Sequence, residues 1–107
     1  MFGKAEAFNQ PIDIWDVSKV TNMERMFMDA SKFNQPLAQW NVGNVTNMAY
    51  MFWQAYTFNY PLSKWNISKL KHIDLMFHHA AMTNNFRSDF IQKCKSLNIK
   101  VNNNIYE

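Results

Sequence analysis

The three histidines, His72, His78 and His79, and the single cysteine, Cys94, are the side chains best suited to hold a metal or to supply a nucleophile and its base. A zinc site needs ligands spaced so that four donors can converge. His78 and His79 are adjacent and point apart on a helix, and Cys94 belongs to a later segment, so no such spacing is present. Cys94 with a histidine lacks a third orienting group and an oxyanion site. Asp13, Asp16 and Glu24 form no carboxylate pair in an evident cleft. These residues point to no catalytic, cofactor or metal site, and the chain reads as a non-enzyme. A Cys/His-dependent metal protein or enzyme is kept only as a second alternative.

What the sequence does specify is a period. Phe-Asn-Gln-Pro occupies residues 8–11 and again 33–36, and Phe-Asn-Tyr-Pro follows at 58–61, a constant step of 25. Met1-Phe2, Met26-Phe27, Met51-Phe52 and Met76-Phe77 keep that step, each with an Ala three residues after its Phe. Trp15, Trp40 and Trp65 do the same. Such self-similarity marks a stacked repeat, in which one unit cannot bury its apolar face alone and successive units can.

Each unit has two halves. Val20, Met23, Met26, Phe27 and Ala30 fall on one stripe of a helix, and the pattern recurs from Val45 and from Leu70. The stripe predicts one short helix per unit, with Thr21 and Glu24 at capping-box spacing. The segments at 12–17, 37–42 and 62–67 alternate around Trp-x-Val or Trp-x-Ile and predict one short strand per unit. Pro11, Pro36 and Pro61 precede them, where a missing N–H costs least. The Phe of each tetrad closes a turn. Asn9, Asn34, Asn59 and Asn84 form a column in which the side-chain amide bonds the turns of neighbouring coils.

The stretch "FNQPLAQWNVGNVTNMAYMFWQA" closely resembles the BspA-like repeat of bacterial surface proteins and lipoproteins, a relative of the leucine-rich repeat. The resemblance covers about residues 1–85. It implies an α/β fold, a short right-handed leucine-rich-repeat-like solenoid with one strand and one helix per repeat. It also implies a place at the cell surface or outside the cell and a part in adhesion or recognition, and it brings no catalytic residues.

The pattern decays at Thr83-Asn84-Asn85-Phe86, where no Trp follows. Ser88 can cap a helix presenting Phe86, Phe90, Ile91, Cys94 and Leu97, and "LNIKVNN" alternates as a closing strand. Residues 86–107 are thus expected to be a helix-strand cap on a solenoid of residues 1–85, the whole being one domain. Cys94 takes a buried place in that cap. The chain opens in mid-repeat at Met1-Phe2, which suggests a fragment of a longer array or a short gene. A homodimer through the uncapped N-terminal end, or through the aromatic patch described below, is the other reading.

Composition sets the outer bounds. The formal charge of +3 divides into seven basic and six acidic side chains over residues 1–86, then Arg87, Lys93, Lys95 and Lys100 against Asp89 and Glu107. No basic run or stacking motif accompanies that surplus, so nucleic acid is not an expected partner. No apolar run is long enough to span a membrane, and the first twenty residues do not read as a signal peptide.

The departures from the repeat then mark candidate surfaces. Opposite the buried stripe lie Arg25, Tyr50 and Leu75 in one row and Met28, Trp53 and His78 in another. Met28, Tyr50, Trp53, Leu75, and with them Tyr56 and Tyr60, make a candidate interaction surface for a protein partner. A second candidate is the strand face, with Asp16, Gln39, Asn41, Lys64 and Asn66 varying between units. The sequence therefore points to a protein-interaction or surface-recognition module. A structural spacer within a longer array is the first alternative.

Overall fold

The computed structural model describes residues 6–101. Met1, Phe2 and Ala5 of the repeat pattern, and the last six residues of the expected cap, lie outside that range.

The apolar positions of the stripe are buried. Met23, Met26, Phe27 and Ala30, their equivalents Met48, Met51, Phe52 and Ala55, and then Ile73, Met76, Phe77 and Ala80 all lie in one continuous core. Val20 is only half-buried, whereas Val45 and Leu70 are buried.

The bonding differs from the expectation. Among the described residues there is one helix, no strand and no sheet. The predicted leucine-rich-repeat-like solenoid, with a strand and a helix in each repeat, is therefore not the architecture. Each unit is instead a coil of tight turns stacked on the next. Isolated parallel bridges at Asn22, Asn47 and His72 mark the line of contact.

The reason lies in where the backbone N–H groups find acceptors. In a helix each would bond four residues back. Here Met23, Arg25, Phe27 and Asp29 donate to the carbonyls of Asn47, Ala49, Met51 and Trp53, one coil away. Met48, Tyr50, Phe52 and Gln54 donate in turn to His72, Asp74, Met76 and His78. Intervening residues close four-residue turns, Met26 onto Met23, Met28 onto Arg25 and Ala30 onto Phe27. The same burial stripe is thus produced by successive turns.

Two local features oppose the helix. Asn22 and Asn47 accept the N–H of Glu24 and Ala49 at 2.8 and 2.9 Å, Asx turns that offer the backbone an alternative bond. Arg25, Asp29, Tyr50, Gln54, Leu75 and His79 have left-handed φ between 51° and 61°, which no right-handed helix contains. Each such non-glycine residue costs about 1–2 kcal/mol, so the ladder and the core beneath it must hold them.

The expected strands are also turns. The N–H of Trp15, Trp40 and Trp65 folds back onto the carbonyl of Ile12, Leu37 and Leu62 at 3.0–3.2 Å. The indole N–H of Trp40 donates to Ile12 O, and that of Trp65 to Leu37 O, both at 2.8 Å. Trp40 and Trp65 thereby tie their coils to the one before while their rings fill the core, whereas Trp15 is exposed.

Phenylalanine completes the stack. Phe8, Phe33 and Phe58 form one column, with ring centroids 5.8 and 5.9 Å apart. Phe27, Phe52 and Phe77 form a second, at 5.6 and 6.1 Å. The two columns join through near-parallel pairs at 4.3 Å, Phe27 with Phe33 and Phe52 with Phe58.

Helix α1, Asn84–Ser96, closes the last coil. It begins after Thr83 and not at Ser88, and Thr83 makes no side-chain cap bond. Phe90, Ile91 and Cys94 are buried and Phe86 is partly buried against the core, whereas Leu97 is exposed. The Phe90 ring meets Phe77 and Trp65 edge-on, at 5.5 and 6.5 Å, which ends the parallel stacking. Lys93 Nζ donates to Ser63 O at 2.7 Å and also to Trp65 O, which ties α1 to the last coil.

At its C-terminus α1 ends in a Schellman motif. Asn98, with φ 60°, donates to Lys95 O and Ile99 donates to Cys94 O. No strand follows within the described residues, so up to residue 101 the expected helix-strand cap is a helix and a turn. Ile99 is buried all the same, and Val101 packs partly against the core.

Candidate interaction surface

The two rows of residues opposite the core meet in a groove. Arg25, Met28, Tyr50, Trp53, Leu75 and His78 line an open cavity of about 440 Å³. Arg25, Tyr50 and Leu75 are the first left-handed residue of each coil, and Met28, Trp53 and His78 follow three residues later. The unusual φ is thus repeated at one wall of the groove in all three coils. All lining residues but exposed Arg25 are half-buried, as suits side chains that rest on a core without belonging to it.

Contacts within the groove hold its shape. The Arg25 guanidinium lies 5.2 Å from the Tyr50 ring centroid, within cation–π range. Trp53 stacks on His78 at 5.9 Å and 14°. His78 also stacks on His79 at 3.9 Å, so the two histidine rings face each other and do not point apart. A helix would have splayed them; the left-handed His79 brings them together. His78 Nδ1 is buried with no hydrogen-bond partner. Among the described residues no three His, Cys, Asp or Glu side chains gather where a metal could bind.

Tyr56 and Tyr60 do not line the groove. Tyr56 is exposed, and Tyr60 is half-buried against Phe58 at 6.3 Å. Arg25 and His78, which belong to the same two rows, complete the lining in their place.

On the second candidate face, three of the five residues are engaged in local turns. Asp16 Oδ1 accepts the N–H and the hydroxyl of Ser18 at 3.0 and 2.6 Å. Those bonds hold its carboxyl below the usual carboxylate range. Asn41 and Asn66 accept the N–H of Gly43 and Ser68 in the same way. Their oxygens are used to turn the chain after each tryptophan. Gln39 and Lys64 are exposed.

The asparagine column consists of three bonds. Asn9 Oδ1 accepts Asn34 N–H at 2.9 Å, Asn34 Oδ1 accepts Asn59 N–H at 3.0 Å, and Asn59 Oδ1 accepts Thr83 N–H at 3.0 Å. Asn84 is not the fourth member. The last rung falls on Thr83, and Asn84 is the first residue of α1.

The sequence places Phe90 on the apolar face of the cap helix, but its register with the tryptophans was missed. Phe90 stands 25 residues after Trp65, the next step of the tryptophan column, on a helix where the other three lie on turns. The constant step was the signal that would have found it. Cys94 is buried in α1, and burial pushes its thiol up to about 11.

Comparison with known proteins adds one match. Residues 1–90 match the family described as "Mycoplasma protein of unknown function, DUF285". No curated protein and no solved structure matches the chain. No helix among the described residues is long and apolar enough to cross a membrane.

Proposed function

The chain belongs to this Mycoplasma family of unknown function, and we propose that it is a non-enzymatic recognition module that binds a protein partner through the groove. One observation carries the reading. The groove is built from the positions at which the coils depart from one another, and it is filled with Tyr, Trp, Met and Leu where a solvent face would be polar. Aromatic and Met side chains in a partly formed cleft are the usual anchors of an interface. The resemblance to BspA-like surface repeats supports a place at the cell surface or outside the cell.

The competing reading is a spacer within a longer array, for which the groove would be incidental. A bait carrying Tyr50→Ser and Trp53→Ser separates the two. Recognition predicts a variant that melts as a folded protein yet loses the partner captured by the wild type. A spacer predicts equal capture by both, and that result would end the recognition reading.

A further inference from the structure

We propose that the groove selects an extended segment of a partner protein carrying an apolar side chain and, beside it, a carboxylate. The inference rests on the groove being the recognition surface and adds the chemistry of what it takes.

Charge and polarity carry the argument. Among the six lining side chains the only formal charge is the exposed Arg25 guanidinium, in the first of the three coils that form the groove. No acidic side chain lines it; Glu24, Asp29 and Asp74 lie on the same coils outside the lining. The Arg25 guanidinium and the Trp53 indole N–H can only donate to a ligand, while the Tyr50 hydroxyl and the His78 ring can donate or accept. An aliphatic or aromatic group would rest on Tyr50, Trp53 and Leu75, with its carboxylate reaching Arg25. A guanidinium stacked on a ring keeps its edge N–H groups free for such a contact. A cationic ligand would meet Arg25 as a like charge.

The size is suitable. Equivalent rings in neighbouring coils stand 5.6–6.1 Å apart. Three coils therefore span about four residues of an extended chain lying along the stack, at roughly 3.3 Å each.

The test uses two probes of one shape, 3-phenylpropanoate and its uncharged amide, titrated into the full chain. The readout is the Trp53 indole N–H resonance, identified by its loss in Trp53→Phe. Both probes should shift it, the carboxylate binding about threefold or more tighter, as suits an exposed charge pair. Arg25→Gln should bring the carboxylate down to the amide and leave the amide unchanged. Equal binding of both probes by the wild type overturns the carboxylate while leaving the groove as a surface. Binding of neither overturns both readings. An indole shift on simple dilution, with no probe, would assign the groove to a second copy of the chain and also overturn the proposal.

Discussion

Asparagine 34 shows how much one residue can do in a repeat. Its backbone N–H is held by Asn9 and its side-chain oxygen holds Asn59, so it links three coils. Asn34→Ala leaves the Asn59 N–H without its acceptor, and we expect a loss of about 1–2 kcal/mol in urea unfolding. Asn34→Asp keeps an acceptor oxygen and should recover most of that loss. Equal losses in the two variants would mean that the bond contributes little. The column was legible because Asn recurs at a fixed step. Its end was not, because α1 begins at Asn84 and moves the last rung to Thr83.

Cys94 gives a second test at this scale. Its buried thiol stays protonated in the folded chain up to about pH 11, while the unfolded chain ionises from about pH 9. The folded state therefore holds the extra proton between those values. The contribution is full below pH 9 and is lost as pH rises towards 11. We expect the decline in unfolding free energy between about pH 9 and about pH 11 to be shallower in Cys94→Ala than in the wild type. The variant will be less stable throughout, because it leaves a cavity. An unchanged slope would show that the thiol is not shielded from water.

At the scale of the element, burial and bonding separate. The stripe from Met23 to Ala30 told correctly which side chains are buried, since an apolar face must be covered whatever backbone carries it. It could not tell a helix from a chain of turns. That choice depends on acceptors in a coil 25 residues away and on left-handed φ at Tyr50 and Leu75, for which no glycine gave warning. Gln54 makes the distinction measurable, with its φ of 56° and its place outside the groove lining. In a helix, Gln54→Gly would cost roughly 0.7–1 kcal/mol. In the left-handed region, relief of strain offsets the flexibility of glycine, so we expect no loss or a gain of up to about 1 kcal/mol.

The closing helix has its own weak point and its own anchor. Thr83 makes no side-chain cap bond, and the first turn of α1 carries no acidic residue. Thr83→Asp should raise the unfolding free energy by about 0.5–1 kcal/mol, read from the urea midpoint. Phe90→Ala should cost about 3–5 kcal/mol, because that ring covers both Phe77 and Trp65.

For the whole molecule, the coils form a scaffold whose internal bonds are supplied by repeated positions. The variable positions are left to shape the groove. The two rows were visible in the sequence as apolar residues on a face that should be polar. Arg25 and His78 already stood in those rows; that they line the groove, and that Tyr56 and Tyr60 do not, depended on the geometry of the turns. If the groove rests on the core without supporting it, its side chains can be replaced and the stack will remain. The most direct test is equilibrium unfolding of Tyr50→Ser combined with Trp53→Ser, alongside the wild type. A surface groove predicts an unchanged circular dichroism spectrum and a loss of no more than about 2 kcal/mol, small beside the cost of emptying a core position. A loss of about 5 kcal/mol or more, or an unfolded variant, would place those two side chains in the core and contradict the account.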